Sequence, residues 1–401
     1  MQILLRGHLR RRCAYGLLAL VAVVLAAGCA VSGDGPETAR SRDNSGCRTS
    51  TRVAAFAKEI DSARPLALRM KRGFGAPGLA IAVAVDGQVV WSEVCGYADL
   101  SRRAPVTAAT RFRIGSVSKM LTAAAAARLV QEKRLDLDAP IQRYVASFPA
   151  KSHPVTARDL LAHVAGIRHY QGSEALSGVH YLSVTDALRV FARDPLLFEP
   201  GTQYSYSSYG LNLVGAAIEA IGEEDFGDAV RRLVLAPLGL QHTAIDDGRR
   251  RQFWAAPYEV TEARKAIPAP AVDLSNRLPS GGFRSTAEDL ARFGSRLGDR
   301  TFLRKPTQDT FFSQQHLDDG SGTSYGLGFE VGEAPFGRVV GHTGNVVGGT
   351  AFLLVQPRAG VAIAMATNVG YVTARTAPDL SAVPDPPALF APFVTHALRR
   401  P

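Results

Sequence analysis

The stretch Arg113-Ile114-Gly115-Ser116-Val117-Ser118-Lys119 is followed by Met120-Leu121-Thr122 and by five alanines at residues 123–127. We interpret it as a serine on the first turn of a helix, with a lysine one turn further along. Residues three apart lie on the same helical face, so the Ser116 hydroxyl and the Lys119 amine can touch. The first turn also leaves backbone N–H groups unpaired, and these favour negative charge near Ser116. The pattern predicts a nucleophile beside a possible base.

A simpler interpretation makes Ser116 an ordinary helix N-cap. A Ser-Xaa-Xaa-Lys tetrad alone is weak evidence, because short patterns of this kind recur without function. Ser118 is a competing nucleophile, but it is adjacent to Lys119 in sequence and therefore faces away from it. The interpretation depends on partners elsewhere in the chain.

A second polar element lies about ninety residues later, in Tyr204-Ser205-Tyr206-Ser207-Ser208. A tyrosine near a lysine can move a proton, because neighbouring groups decide which of the two is charged. Tyr206 is the predicted partner of Ser116 and Lys119. The alternative is that these tyrosines are packing aromatics with surface hydroxyls.

A third element, Gly341-His342-Thr343-Gly344-Asn345, ends a predicted strand with small residues. A bare strand edge lets a substrate carbonyl approach the backbone. The Asn345 N–H could then pair with that of Ser116 to form an oxyanion hole. A glycine-rich hairpin turn would give the same local pattern.

Together the three elements resemble the serine β-lactamase-like hydrolases, which include class C β-lactamases, DD-peptidases and esterases. Their motifs, Ser-Xaa-Xaa-Lys, Tyr-Xaa-Asn or Tyr-Xaa-Ser, and Lys-Thr-Gly or His-Thr-Gly, occur here in order, as Ser116–Lys119, Tyr206–Ser208 and His342–Gly344. The resemblance covers roughly residues 52–400. It implies an α+β fold of the β-lactamase/transpeptidase type and hydrolysis through an acyl-enzyme on Ser116.

Within this family the chain resembles in particular the mitochondrial β-lactamase-like serine protease and its bacterial relatives. That subgroup implies a peptidase or esterase acting on a peptide or small-molecule substrate. The sequence leaves open whether Lys119 or Tyr206 takes the serine proton. The resemblance assigns substrate or lysine orientation to Ser208 and His342, and substrate or oxyanion binding to Thr343, Gly344 and Asn345.

Two departures argue against efficient β-lactam turnover. His342 stands where β-lactamases usually place a lysine to meet the carboxylate of the drug, and an ordinary histidine is mostly neutral at pH 7. Ser208 replaces asparagine in the second motif.

The sequence allows two rival interpretations. Residues 322–326 match the Gly-Xaa-Ser-Xaa-Gly elbow of α/β-hydrolases, but that elbow needs a strand before it and a helix after it. Here a polar loop precedes it and a predicted strand follows. The second rival is a penicillin-binding or scaffolding protein of the same fold with little turnover, and the sequence does not separate it from a hydrolase.

The first 28 residues have the pattern of a signal peptide, with four arginines before an apolar run. The segment before Cys29 resembles a bacterial lipobox, which predicts lipidation of that thiol and an envelope location, with plain secretion as the alternative. Residues 29–50 are predicted to be a tether and residues 51–401 the hydrolase domain. Removing the four arginines lowers the formal net charge from +10 to +6. No basic tract with interleaved aromatics indicates nucleic-acid binding.

Of the four cysteines, Cys47 and Cys95 could form a disulfide in an oxidising compartment. No Cys/His spacing predicts a metal site, and no motif calls for a cofactor. The oligomeric state is not readable from the sequence.

Hydrophobic periodicity predicts the organisation of the domain. Residues 78–85 and 88–94 alternate around Asp86-Gly87 and predict a β-hairpin. Strands are predicted again at 325–331, 338–342, 351–355 and 361–367, with helices between. We therefore expect one antiparallel sheet built from 51–112 and 280–401, flanked by helices, with a helical region at 116–279. We also expect Pro65 to break or kink a helix at 51–72, and a long loop at 256–280.

Overall fold

The computed structural model describes residues 46–249, 251–370 and 386–399. The predicted signal peptide, Cys29 and most of the predicted tether lie outside these ranges. Within them, no helix combines the length and the apolar character needed to cross a membrane.

The described strands are β1 (Cys47–Arg52), β2 (Gly78–Val85), β3 (Gln88–Asp99), β4 (Ala104–Pro105), β5 (Phe112–Arg113), β6 (Ala244–Ile245), β7 (Tyr258–Val260), β8 (Ala266–Pro268), β9 (Phe283–Ser285), β10 (Glu330–Ala334), β11 (Gly337–Val346), β12 (Gly349–Gln356) and β13 (Val361–Thr367). The main sheet has eight of these strands in the order β1-β3-β2-β13-β12-β11-β10, with β4 paired to β3, and every pair is antiparallel. Two small sheets, β5-β9-β6 and β7-β8, lie apart from it.

Along the chain, most of the helices lie between the two groups of strands that form the main sheet. They are α1 (Ala57–Phe74), α2 (Ser118–Gln131), α3 (Ala157–Ala162), α4 (Val184–Ala187), α5 (Ser208–Gly222), α6 (Phe226–Val230), α7 (Leu278–Gly281), α8 (Ala287–Arg296), α9 (Lys305–Phe312) and α10 (Pro386–Leu398). The predicted antiparallel sheet from both chain ends and the central helical region are thus confirmed.

The two faces of the sheet differ in side-chain size because β2 and β13 alternate large and small residues. On β2, Leu79, Ile81 and Val83 point to one face, where they pack with α1 and α10. The alternate alanines point to the other face, where α8 packs on β2 and β13. A Cβ at Gly294 of α8 would lie 2.7 Å from Ala362 Cβ. Small residues on both sides therefore let α8 lie close to the sheet.

The predicted hairpin is confirmed at Asp86-Gly87. Both residues have positive φ, 49° and 82°, as a type I′ turn requires. This turn joins β2 to β3.

The predicted tether is wrong at its C-terminal end, because residues 47–50 belong to β1. This strand pairs with β3, with Cys47 directly opposite Cys95, and a disulfide joins the two cysteines. Polar composition concealed the strand, because β1 lies at the edge of the sheet and most of its residues are exposed.

The expected break at Pro65 is also wrong, since α1 continues through it. Pro65 is exposed, so water can donate a hydrogen bond to the backbone carbonyl that has no N–H donor in the helix because of the proline. In the predicted strand 325–331 only the end is right, because β10 begins at Glu330. The region 256–280 is not a continuous loop: it contains β7, β8 and the start of α7. Helix α9 was not predicted.

Candidate active site

Ser116 lies on a 3₁₀ turn, Gly115–Val117, that runs directly into α2. Gly115 has φ +51°, and a Cβ there would lie 2.7 Å from the backbone nitrogen of Asn345. A glycine therefore lets the turn approach β11. Ser118, the competing serine, is buried and its Oγ accepts a hydrogen bond from the Phe283 N–H at 3.2 Å. It faces away from Lys119, as expected.

Lys119 is completely buried below Ser116. Its Nζ lies 3.0 Å from Ser116 Oγ, 3.1 Å from Ser208 Oγ and 2.8 Å from the Ser280 carbonyl oxygen. Burial holds the pKa of Lys119 well below its ordinary value; nearby Glu330 opposes this shift and Arg277 adds to it. The amine is therefore biased toward its neutral form, which can accept a proton.

Tyr206 completes the group around the serine. Its hydroxyl donates to Ser116 Oγ at 2.8 Å, and its ring centroid lies 4.9 Å from Lys119 Nζ. Burial raises the pKa of Tyr206, although the hydrogen bond with Ser116 opposes the shift. The phenol therefore stays protonated at neutral pH.

Two histidines that were not assigned as site residues orient the segment carrying Tyr206. His163 Nδ1 lies 3.2 Å from the Ser207 N–H, and His169 Nδ1 lies 3.1 Å from the Ser208 N–H. Burial, with the charge of Lys119 next, lowers the pKa of His169 to about 4 and that of His163 well below its ordinary value. Both are thus neutral acceptors. His163 ends the stretch 160–163 and His169 lies in the stretch 166–170; both stretches resemble the family, which is the signal that could have identified the two histidines.

Strand β11 approaches the serine turn through Gly344, where a Cβ would lie 2.1 Å from the Ile114 carbonyl oxygen and 3.0 Å from the Ser116 nitrogen. The Thr343 N–H donates to the Glu330 carboxylate, so it points away from β12. Because N–H groups two residues apart along a strand point the same way, the Asn345 N–H is directed toward the same side. Close packing of the serine turn on β11, with a Gly115 Cβ position 2.7 Å from the Asn345 nitrogen, brings the backbone nitrogens of Ser116 and Asn345 together, and their use as an oxyanion hole stays a prediction.

His342 is not where the sequence interpretation placed it. It is buried and packs between Tyr206 and Tyr325, with ring centroids 6.1 and 5.8 Å away. Burial, with the charge of Lys119 next, lowers its pKa to about 3, so it carries no charge at pH 7. We therefore correct its assignment as a substrate-binding residue: a neutral ring in the core has no direct access to a substrate carboxylate.

Glu330 is a carboxylate that sequence reasoning missed. Besides accepting the Thr343 N–H, it has an oxygen 3.7 Å from His342 Nδ1. Burial raises the pKa of Glu330 to about 7, against the lowering effects of the Thr343 hydrogen bond and of Lys119. An acid after the apolar run Leu327-Gly328-Phe329 was the available signal.

A cavity of about 240 Å³ opens above Ser116. Of the residues predicted to bind substrate or the oxyanion, Ser208 and Asn345 line it, whereas Thr343 and Gly344 do not. Thr343 is exposed on β11 and Gly344 is buried against the serine turn. In the part of the chain that the structure describes, no group of three or more His, Cys, Asp or Glu side chains is placed to hold a metal ion.

The rival serine, Ser324, lies between a polar loop and β10. No helix follows it before β10. It therefore lacks the strand-to-helix context of a nucleophile elbow.

Comparison with known proteins agrees with this architecture. Residues 68–383 match the Beta-lactamase family. The chain is 32% identical over 310 residues to the mitochondrial serine beta-lactamase-like protein LACTB of Homo sapiens, covering 60% of this chain and 56% of that protein. It is 32% identical over 239 residues to esterase EstB of Burkholderia gladioli, covering 54% of this chain and 60% of the esterase. The matches thus span less than two thirds of each relative.

A solved structure supports the fold. The D-amino acid amidase from Ochrobactrum anthropi SV3 aligns with a TM-score of 0.70 over 85% of this chain and 99% of the amidase, at 21% identity. The family match covers most of the chain and includes all three motifs. The chain therefore belongs to the beta-lactamase family.

Proposed function

We propose that this protein is a serine hydrolase that cleaves ester or peptide substrates through an acyl-enzyme on Ser116. The observation that carries the proposal is the position of Ser116 Oγ, 3.0 Å from Lys119 Nζ and 2.8 Å from the Tyr206 hydroxyl. A nucleophile in contact with a base and a second proton carrier is the arrangement that acyl transfer requires.

Lys119 is the proposed base. A neutral amine has two N–H donors and one lone pair, and Lys119 has three partners. The donors suit Ser208 Oγ and the Ser280 carbonyl oxygen, which leaves the lone pair for the Ser116 O–H. The raised pKa of Tyr206 makes it a donor, so it is the weaker base of the two.

The reaction then follows from the geometry. Ser116 Oγ attacks the carbonyl carbon as its proton passes to Lys119, and the N–H groups of Ser116 and Asn345 stabilise the negative oxygen. When the tetrahedral intermediate collapses, the bond to the leaving group breaks and Tyr206 donates its proton to that group. Lys119 then passes its proton to the Tyr206 phenolate, which restores the phenol. In the second half of the reaction, water attacks the acyl-enzyme by the same steps, which releases the acid and regenerates Ser116.

Esters and peptides suit the site better than β-lactams do. The strand that normally supplies a cation for the carboxylate of the drug here supplies His342, which is buried and neutral, so β11 itself offers no charge to that carboxylate. The name of the similar esterase, EstB of Burkholderia gladioli, supports ester substrates.

A hydrolysis panel tests the proposal. Purified protein is assayed with p-nitrophenyl esters, D-amino-acid peptides and nitrocefin beside its Ser116→Ala variant. We expect turnover of esters or peptides that the variant loses, with little on nitrocefin. Equal turnover by both proteins would contradict the proposal. The rival function, a binding protein of the same fold, predicts stable labelling of Ser116 by a fluorophosphonate without turnover.

We also propose that the protein is exported and anchored through Cys29. The signal-like residues 1–28 and the Cys47–Cys95 disulfide support an oxidising compartment. A Cys29→Ser variant expressed in a bacterial host should leave the membrane fraction. Unchanged fractionation of the variant would contradict the anchor.

A further inference from the structure

Arg277 is a charged residue of the cavity that the proposed chemistry does not use. It ends the 3₁₀ turn Ser275–Arg277 just before α7, and only 4% of it is exposed. It nevertheless lines the cavity together with Ser116 and Tyr170. A Cβ at Gly281 would touch both Arg277 Cδ at 3.8 Å and the carbonyl carbon of Gly115 at 3.9 Å. One residue therefore separates the Arg277 side chain from the serine turn.

In the part of the chain that the structure describes, the hydrogen bonds and the ring contact of the Arg277 guanidinium all involve uncharged groups. Nε donates to Asn276 Oδ1 at 2.7 Å, Nη2 donates to the Glu174 carbonyl oxygen at 2.9 Å, and the guanidinium carbon lies 4.8 Å from the centroid of the Tyr170 ring. Within the described residues, Nη1 has no hydrogen-bond partner. The Glu174 carboxylate does not contribute to these contacts; it accepts hydrogen bonds from Arg168 at 2.8 Å and from the Tyr209 hydroxyl at 2.9 Å.

The other buried arginines of the described chain differ in this respect. Arg113 and Arg284 both bind Asp246, at 2.7 and 2.8 Å, and Arg168 binds Glu174 and Asp194. Removing a charge from water is unfavourable unless an opposite charge or strong hydrogen bonds compensate for it. Arg277 thus retains capacity for an anion that the described residues do not supply.

The described wall of the cavity provides no such anion. None of the described residues that line it is acidic, and its histidine, His169, has a pKa lowered to about 4 by burial and by Lys119. Among the described residues that line the cavity, Arg277 therefore carries the formal charge at pH 7. A planar guanidinium with free N–H groups matches a carboxylate in geometry and charge.

We propose that Arg277 binds a carboxylate of the substrate, so that the preferred substrates are anionic esters or peptides. The proposal rests on the acyl transfer assigned above to Ser116. The carboxylate can belong to the acyl group or to the leaving group, and each source predicts a different preference.

Matched esters test the proposal. The acyl arm compares phenyl monoglutarate with phenyl glutaramate, and the leaving-group arm compares the acetate esters of 3-hydroxybenzoate and 3-hydroxybenzamide. Each pair differs by a carboxylate against an amide of similar size. The measured quantity is the ratio of kcat/KM, anionic over neutral, after subtraction of the rate with Ser116→Ala. We expect a ratio of about 30 or more in one arm, and that arm identifies the source.

The variant Arg277→Gln should bring this ratio to within about threefold of one. The variant Arg277→Lys should keep an intermediate ratio, because lysine retains the positive charge but lacks the paired N–H donors of the guanidinium. The control Arg300→Gln changes an exposed arginine and should leave the ratio as in the wild type. A wild-type ratio of one or below in both arms, or a high ratio that survives Arg277→Gln, would overturn the proposal. If Arg277→Gln does not fold, the wild-type ratio alone decides whether the proposal stands. Absence of turnover with every ester would instead count against the proposed hydrolase.

Discussion

The two sides of the main sheet bury different chemistry. Under α1 and α10 the core is apolar, with Trp91 stacked on Phe393, and the buried carboxylate there, Glu93, is matched by Arg64 at 3.0 Å. On the side of Ser116 the chain buries Lys119 and His342, and burial holds the pKa of each well below its ordinary value. Burying such groups opposes folding. The apolar side therefore supplies stability that compensates for the buried polar groups on the side of Ser116. Changes in the two regions should therefore have separate effects.

The largest expected effect follows replacement of the buried base. Lys119→Met keeps the length of the side chain but removes the amine, and kcat should fall about 10⁴-fold. The midpoint of thermal unfolding should not fall, because the variant no longer buries an amine. Rates near wild type, measured with a p-nitrophenyl ester, would assign the base elsewhere.

On the apolar side, loss of the disulfide should affect stability instead. The loop between Cys47 and Cys95 spans 48 residues, and opening a loop of this size lowers the free energy of unfolding by about 4 kcal/mol. Denaturant titration of the Cys47→Ser/Cys95→Ser variant measures this change. Turnover at low temperature should persist, and its loss would connect the two regions directly.

A pH-dependent effect should come from Glu330. Burial raises its pKa from 4.5 to about 7, so its protonated form stabilises the fold fully below pH 4.5, and this contribution is lost as pH rises through 7. The change is about 3 kcal/mol. Glu330→Gln should therefore gain stability relative to the wild type between pH 4.5 and pH 8, measured by thermal melts. A difference that stays constant with pH would exclude the carboxylate as the cause.

Close approach of β11 to the serine turn should matter for catalysis. In Gly344→Ala the new methyl would lie 2.1 Å from the Ile114 carbonyl oxygen, which displaces the strand and the Asn345 N–H. We expect kcat to fall about 100-fold, as when an oxyanion donor is lost. The control Gly178→Ala has no atom within 4 Å of its new methyl and should leave kcat unchanged.

The smallest effect is expected at Phe393, whose ring lies 6.1 Å from Trp91 and 6.2 Å from Phe56. Phe393→Leu loses the aromatic contacts and should lower the free energy of unfolding by about 1 kcal/mol. Its kcat at a permissive temperature should match the wild type. A lower kcat would mean that the apolar region also shapes the site.

The sequence predicted those features that have a local signature. The alternation around Asp86-Gly87 predicted the hairpin, and the spacing of Ser116 and Lys119 predicted their contact. Thr156 has a local signature too, since the Thr-Xaa-Xaa-Asp spacing at the start of α3 corresponds to the capping box that Thr156 forms with Asp159. These outcomes depend on neighbours within one turn or one strand pair.

Features set by distant packing were missed. The Glu330 carboxylate and the two orienting histidines acquire their roles only when β10, α3 and the segment around Tyr206 come together. His342 was assigned to the substrate because its motif was recognised, while the direction of its side chain depends on Tyr206 and Tyr325. Burial of this kind leaves no periodic pattern in the chain.

The most direct test of the account is the site at which a fluorophosphonate attaches. Purified protein is labelled, digested and analysed by mass spectrometry, beside Ser116→Ala and Ser118→Ala as a matched pair of neighbouring serines. We predict a single label on Ser116, absent from Ser116→Ala and retained in Ser118→Ala. Label on Ser118 or Ser324, or undiminished labelling of Ser116→Ala, would contradict the assignment of Ser116 as the nucleophile.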